Sequence, residues 1–246
     1  MFSLYGYQDI FLEGAWLTLQ VALLSLILSV ALGLLAALAK LSHSTILTSI
    51  ATLYTTIIRG IPDLILMLLI FFGGQLLIND MSYNLNEWLN ETITGYYPHH
   101  EWTAYLPEYI DISPYFAGII TIGFIFGAYM AETFRGAILS VDKGQLEAAT
   151  AYGMNKYKRF YRVMFPQMMR HALPGLGNNW LVLLKTTALV SIIGLQDMVK
   201  IAGDASGSTQ KPFTFYLVVA LVFLFYTAVS TTALKWAERK YSIQTR

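Results

Sequence analysis

Residues 14–39 read GAWLTLQVALLSLILSVALGLLAALA, a run of 26 residues without Asp, Glu, Lys or Arg. About 20 apolar residues are enough for a helix to cross the hydrocarbon core of a bilayer. Because charged side chains inside the hydrocarbon are costly, a charge-free run of this length indicates a membrane-spanning helix. The run therefore predicts the fold class, an all-α integral membrane protein.

The composition of the whole chain points to the same class. Of its 246 residues, 56% are hydrophobic and 13% are charged, whereas about 25% of residues are charged in soluble domains. The formal net charge is only +1, and there are no cysteines, which excludes disulfides, thiolate metal sites and cysteine nucleophiles. The first run is too long for a signal-peptide core and lacks a cleavage-site pattern, so we expect it to be retained.

Further apolar stretches predict four more crossings. Residues 112–131 and 212–234 are charge-free over 20 and 23 residues. A longer stretch is interrupted by Arg-Gly-Ile-Pro-Asp, which indicates a helix break because proline disfavours helix in the residue before it. The predicted crossings of this single transmembrane domain, 1–246, are approximately 14–39, 46–79 with a break at 59–63, 112–134, 171–196 and 212–235.

The positions of the basic residues predict the orientation, because cytoplasmic loops are enriched in Lys and Arg. Residues 1–13 and 80–111 contain none, and 80–111 contains six acidic residues. Residues 135–170 contain seven Lys or Arg, and the tail after the fifth crossing contains four. We therefore expect the N-terminus outside and the C-terminus in the cytoplasm, although Lys200 and Lys211 in the short fourth loop run against the rule.

The predicted cytoplasmic loop 135–170 has its own helical pattern. Apolar residues in 143–153 follow helical spacing, and Gly153 is suited to end that helix. Asn155 can cap a second short helix, whose extension toward the next crossing Pro166 is expected to limit. Such a helix fits a groove on a cytosolic partner or lies on the membrane surface, held there by its basic neighbours. Spacing alone leaves both alternatives open.

One motif in this loop resembles a known family. Glu147-Ala148-Ala149, three residues, Gly153, nine residues and then Val163-Met164-Phe165-Pro166 are similar to the E-A-A-x3-G-x9-I-x-L-P loop of ABC importer permeases. Val163 and Phe165 stand where the family usually has Ile and Leu. In that family the loop forms a coupling helix that sits in a cleft of the ATPase subunit. The resemblance thus implies that the ATPase-coupling residues are Glu147, Ala148, Ala149, Gly153 and Pro166.

Three other segments, 59–63, 127–136 and 177–191, resemble the polar amino acid permeases within this family, and the similarity covers roughly residues 10–245. Among these, the permeases of basic amino acid importers are the most similar. The resemblance implies a multi-pass subunit of a bacterial inner (plasma) membrane importer that works by alternating access. The implied partners are a second permease subunit in a homo- or heterodimer, two ATPase subunits that bind ATP and Mg, and a periplasmic solute-binding protein. A basic amino acid is the expected substrate, with another polar amino acid such as glutamine or glutamate as the alternative.

Other classes of function lack their motifs. There is no G-x-x-x-x-G-K-[ST] phosphate loop, so ATP hydrolysis is expected in a partner and no cofactor in this chain. An intramembrane enzyme is a less favoured alternative, because G-x-S-x-G and H-E-x-x-H are both absent. His99 and His100 are adjacent without a clear third ligand, so no metal site is predicted. A secondary transporter acting alone would be larger and show internal repeats. Amino-acid substrate and lipid are the expected small partners, with no nucleic acid.

Ionisable residues near the membrane core are functional candidates by default. Arg59, Asp63, Glu132 and Lys185 meet this criterion. Glu132 lies about 27 Å along its helix from Pro114, where it either contacts substrate or pairs with a nearby arginine. Asp63 follows the break at 59–63 and could offer a carboxylate to an ammonium or guanidinium group. Lys185 either binds a substrate carboxylate, extends to the interface or pairs internally.

Overall fold

The computed structural model describes residues 6–96, 107 and 109–241, and within these ranges the chain is helical with no strand. Five helical stretches are long and apolar enough to cross a membrane, which confirms the all-α class with five crossings. These stretches are Gln8–Lys40, Asp63–Thr92, Pro114–Leu139, Lys156–Ile193 and Pro212–Tyr241. In chain order the helices are α1 (Gln8–Lys40), α2 (Thr45–Gly60), α3 (Asp63–Tyr96), α4 (Pro114–Leu139), α5 (Lys143–Ala151), α6 (Lys156–Arg159), a π-helical turn (Phe160–Met164), α7 (Phe165–Thr186), a 3-10 turn (Thr187–Ile193), α8 (Met198–Thr209) and α9 (Pro212–Tyr241).

The centre of the bundle is the long contact between α1 and α4. Small residues let these two helices approach closely, since a Cβ atom at Gly123 would lie only 2.6 Å from the Leu28 side chain. One turn later, a Cβ at Gly127 would lie 2.7 Å from the Tyr54 hydroxyl. The glycine pair of α4 therefore packs against α1 and α2 of the same chain.

The chain leaves the helical path between Gly60 and Asp63, at the Arg-Gly-Ile-Pro-Asp sequence. α3 then continues to Tyr96, well beyond residue 79, where the second crossing is predicted to end. Acidic side chains mark the end of the apolar crossing, but they do not end the helix. The backbone N–H groups of Ile110 and Ile112 donate to Asn79 Oδ1 at 2.7 Å and Gln75 Oε1 at 2.9 Å. These bonds fix the segment that leads into α4. The predicted outer-loop residues His99, His100, Glu101 and Glu108 lie outside the described residues.

Pro166 does not end a helix, contrary to the expectation from sequence. Helical structure runs without interruption from Lys156 to Ile193, with Pro166 as the second residue of α7. The π-helical turn Phe160–Met164 immediately precedes this position and rearranges the backbone hydrogen bonds. Proline lacks a backbone N–H donor. Pro166 is tolerated because it lies where the hydrogen-bond pattern changes from π-helical to α-helical.

The loop between the fourth and fifth crossings contains a helix that the apolar pattern does not predict. The carboxylate of Asp197 caps α8 by accepting a hydrogen bond from Lys200 N at 2.9 Å. α8 lies against the N-terminal part of α1, where a Cβ at Gly14 would be 2.9 Å from Met198 N. Lys200 pairs with Asp204 at 3.2 Å, so one basic residue that runs against the orientation rule has a local acidic partner.

Candidate functional site: the α5 helix and the charged clusters around α4

The Glu-Ala-Ala motif lies on α5, a helix of nine residues with defined caps at both ends. Gly153 follows it with φ +75°, a conformation that side chains with a Cβ rarely adopt. Gly153 N donates to Thr150 O at 2.9 Å, and Met154 N donates to Ala149 O at 3.1 Å. These paired bonds form the glycine-dependent turn that closes many helices.

α5 has one face against the protein and one face free. Ala149 is buried, and the Leu146 side chain packs with Phe165 in the small apolar cluster at the start of α7. Glu147 and Ala148 are exposed. The low alanine surface of α5 is therefore available to a partner molecule.

Two polar contacts join α5 to the helix that follows it. Arg159 Nη1 donates to Thr150 Oγ1 at 2.6 Å, and Gln167 Nε2 donates to Gln145 Oε1 at 2.5 Å. Pro166 lies beside the second contact, half-buried in the first turn of α7. These contacts connect α5 to the helical stretch that continues into the fourth membrane-spanning helix.

A second group of side chains surrounds Glu132 in the C-terminal part of α4. Its carboxylate forms ion pairs with Lys40, at the end of α1, and with Arg135 Nε at 3.3 Å. The Lys40 ammonium also donates to Thr55 Oγ1 of α2 at 2.7 Å. Glu132 is therefore shared between two cations, and its network joins α1, α2 and α4.

One helical turn earlier, Tyr129 brings together the residues on either side of the α2–α3 break. The Arg59 guanidinium lies over the Tyr129 ring, 5.6 Å from its centroid. Asp63, the first residue of α3, lies near the Tyr129 hydroxyl. Neither charged residue forms an ion pair in the described part of the chain.

The structure thus gathers three of the four candidates from sequence, Arg59, Asp63 and Glu132, around one stretch of α4. Lys185 lies apart from them on α7, exposed and without an ion pair or hydrogen bond among the described residues. Sequence reasoning missed Tyr129, for which the available signal was a polar aromatic residue one turn before Glu132. It also missed Lys40 as a partner, because no sequence pattern connects residues 92 positions apart. In the described ranges, no three His, Cys, Asp or Glu side chains are grouped as a metal site would require.

Comparison with known proteins gives a consistent result. The chain is 48% identical over 240 residues to the histidine/lysine/arginine/ornithine transport system permease protein HisQ of Salmonella typhimurium, covering 98% of this chain and 96% of that protein. It is 38% identical to the nopaline transport system permease protein NocQ of Agrobacterium fabrum, with 95% and 93% of the two chains covered. A crystal structure of an amino acid ABC transporter with histidines superposes with a TM-score of 0.73 at 29% identity, covering 95% of each chain.

The resemblance to polar amino acid permeases is therefore confirmed. Residues 29–243 match the family model of binding-protein-dependent transport system inner membrane components. The matched residues include all of α2 to α9 and the Glu-Ala-Ala segment. This chain belongs to the family of binding-protein-dependent transport system inner membrane components.

Proposed function

We propose that this chain is a permease subunit that translocates basic amino acids across the inner membrane. The observation that carries the proposal is the near full-length similarity to the histidine/lysine/arginine/ornithine permease, at 48% identity. The unpaired Asp63 carboxylate beside an aromatic ring adds a group with the right charge for a cationic side chain. Glutamine or glutamate is the alternative substrate. Neither has a cationic side chain that would pair with the Asp63 carboxylate.

The proposed assembly contains this chain, a second permease subunit, two ATPase subunits and a soluble solute-binding protein on the outer side. ATP and Mg bind the ATPase subunits, and this chain performs no covalent chemistry. The N-terminus lies outside and the C-terminus in the cytoplasm, as the Lys and Arg distribution favours. α5 docks on an ATPase subunit through the exposed surface around Glu147 and Ala148.

The contacts of α5 support alternating access as the proposed mechanism. Closure of the ATPase subunits displaces α5, and the bonds from Arg159 and Gln167 pass that displacement to α7. The crossings then reorient around a central path. Because Pro166 and the π-helical turn lie between α5 and the bilayer, the helix is already irregular where it has to bend.

The substrate path is proposed to contain the four ionisable candidates in unequal roles. Asp63 faces the cationic side chain of the substrate, because its carboxylate has no cationic partner in the described ranges. Glu132 contributes negative potential but is already neutralised by Lys40 and Arg135. Arg59 lies beside Asp63, and Lys185 offers an unpaired ammonium to the substrate carboxylate.

Uptake measurements on the assembled transporter test the proposal. The amide substitutions Asp63→Asn and Glu132→Gln keep the size of each side chain and remove its charge. We expect Asp63→Asn to lower uptake of arginine and lysine about tenfold or more, with a smaller loss for glutamine. Glu132→Gln leaves Lys40 without its counter-charge and should reduce uptake of all substrates alike.

The discriminating result is the ratio between cationic and neutral substrates in matched membranes with equal amounts of the complex. Equal losses of arginine and glutamine uptake in Asp63→Asn would assign that carboxylate a structural role. Wild-type complex that takes up glutamine or glutamate but neither arginine nor lysine would overturn the proposed substrate class.

A further inference from the structure

Tyr129 occupies a particular position between two opposite charges. The Arg59 guanidinium lies over the face of its ring at 5.6 Å from the centroid, and the Asp63 carboxylate lies near its hydroxyl. Arg59 and Asp63 do not pair with each other directly within 4.0 Å. Aromatic face and carboxylate are thus presented side by side, a combination that attracts cations.

The carboxylates of Glu132 and Asp63 differ in whether a cation of the chain compensates their charge. Glu132 is held by Lys40 and Arg135, so its charge is compensated within the chain. Asp63 forms no ion pair within the described ranges and lies near the neutral Tyr129 hydroxyl, and a charged carboxylate retains acceptor capacity for further donors. The free capacity for a cation therefore lies at Tyr129 and Asp63.

This position carries charged side chains at a depth within the predicted crossing. Tyr129 lies about 22 Å along α4 from Pro114, within the roughly 30 Å that a crossing needs. Arg59 is exposed on the surface of the single chain, and Asp63 is half-buried. Because charged groups at this depth face a water-filled cavity or a partner subunit, the cluster is open to a solute path.

We propose that the Tyr129 ring is a cation-binding platform in the transport path, and that Arg59 stands in for the substrate cation when no substrate is bound. The proposal rests on the proposed function and adds a residue and an exchange to it. A substrate guanidinium or ammonium group would take the aromatic face while donating to the Asp63 carboxylate. Arg59 would then move aside into the open space around it.

The chemistry explains why such an exchange is feasible. Arg59 is held by one cation–π contact and by no hydrogen bond in the described part of the chain, an interaction that exposed sites make only weakly. The substrate offers the same contact plus donors to Asp63, so it competes effectively. A neutral side chain such as that of glutamine can donate to the carboxylate but gains no cation–π contact and no ion pair, which makes Tyr129 a residue that determines specificity.

Uptake kinetics of the intact complex in proteoliposomes test the platform. Tyr129→Leu should raise the KM for arginine roughly fivefold, the size of one cation–π contact, and leave the KM for glutamine nearly unchanged. Tyr129→Phe keeps the aromatic face and should stay within about twofold of wild type for arginine, which also shows that the position tolerates substitution. Phe116→Leu is the matched control, because it removes an exposed aromatic ring from the same helix at a distance from Arg59 and Asp63.

A second substitution tests the role of Arg59. Arg59→Gln removes the competing internal cation, so the KM for arginine should fall about two- to fivefold, with no such gain for glutamine. A rise in the KM for arginine would overturn the stand-in role.

The outcomes separate this inference from the proposed function. Wild-type complex that fails to transport arginine contradicts the proposed function. Wild-type complex that transports arginine, together with equal changes for arginine and glutamine in Tyr129→Leu, contradicts the platform alone. A Tyr129→Phe variant as impaired as Tyr129→Leu would show that the hydroxyl, not the ring, matters, and would also overturn the platform.

Discussion

Asp197 has no exposed surface in the folded chain, and its two carboxylate oxygens have different surroundings. Oδ1 caps α8 by accepting from Lys200 N at 2.9 Å, whereas Oδ2 has no hydrogen-bond partner among the described residues. Burial raises the pKa of Asp197 to about 6, because the charged carboxylate loses its hydration there. Backbone N–H groups that donate to it act in the opposite direction and do not compensate. The residue lies between the fourth and fifth membrane-spanning stretches, outside both.

We expect Asp197→Asn to raise the thermal unfolding midpoint of the detergent-solubilised protein at pH 8. Because the folded pKa lies above the ordinary value of 3.8, protonation stabilises the fold, and stability decreases as pH rises from about 4 to about 6. The difference is on the order of 2–3 kcal/mol. Asparagine keeps the capping oxygen without the charge, so melting should lose most of its pH dependence in this window.

The matched control for this prediction is Asp204→Asn, an exposed residue of the same helix that pairs with Lys200. It should change the midpoint very little, because exposed ion pairs contribute little to stability. An Asp197→Asn protein that melts below wild type at pH 8 would contradict the prediction.

At the scale of elements, capping interactions at both ends define the length of α5. Asp142 Oδ1 accepts from Gly144 N at one end, and the left-handed Gly153 closes the other. The helix has only nine residues, which is too short for stability on its own, so the caps and the packing of Leu146 determine its presence. Loss of one cap is therefore expected to change the docking surface as a whole.

Gly153→Val is expected to abolish transport while the protein still inserts into the membrane. A Cβ at φ +75° costs about 1–2 kcal/mol, and a β-branched residue is among the least suited to this conformation. Uptake by cells and the amount of complex in membranes are the two measurements. Gly207→Val is the control, because Gly207 has a helical conformation and no atom within 4 Å of a Cβ. Normal uptake by Gly153→Val would count against the coupling role of α5.

At the scale of the whole molecule, charge is unequally distributed between the two ends of the bundle. The C-terminal half of α3 carries Asp80, Glu87 and Glu91 and no basic residue, whereas α6 carries Lys156, Lys158 and Arg159. Because basic loops tend to remain in the cytoplasm, this asymmetry supports the proposed orientation, with α5 and α6 on the cytoplasmic side.

Single cysteines at Glu91 and Lys158 of this cysteine-free chain are expected to label from opposite sides of the membrane. Both positions are exposed, so accessibility differs only by side. An impermeant thiol reagent applied to the outer face should label Glu91→Cys at once and Lys158→Cys only after the membrane is opened. The cysteine-free parent gives the background. Labelling of both positions from one side would contradict the five-crossing topology.

The sequence by itself determined the class of protein, the number of crossings and the family. These properties depend on local features: charge-free runs of sufficient length, the proline after Gly60, and the spacing from Glu147 to Gly153 and Pro166. Each is a property of consecutive residues, and the bilayer imposes the same length requirement on any helix that crosses it. The capping roles of Asn155 and Gly153 were predictable for the same reason.

Only the tertiary structure decided which charges are compensated and which remain free. Glu132 meets Lys40 because α1 packs along α4, and Asp63 meets Tyr129 because α3 begins beside that helix. The helical path through Pro166 and the presence of α8 likewise depend on the surroundings of those segments. The physical reason is that the partner of a side chain is set by packing between helices far apart in sequence, whereas composition and periodicity report only on the helix that contains it.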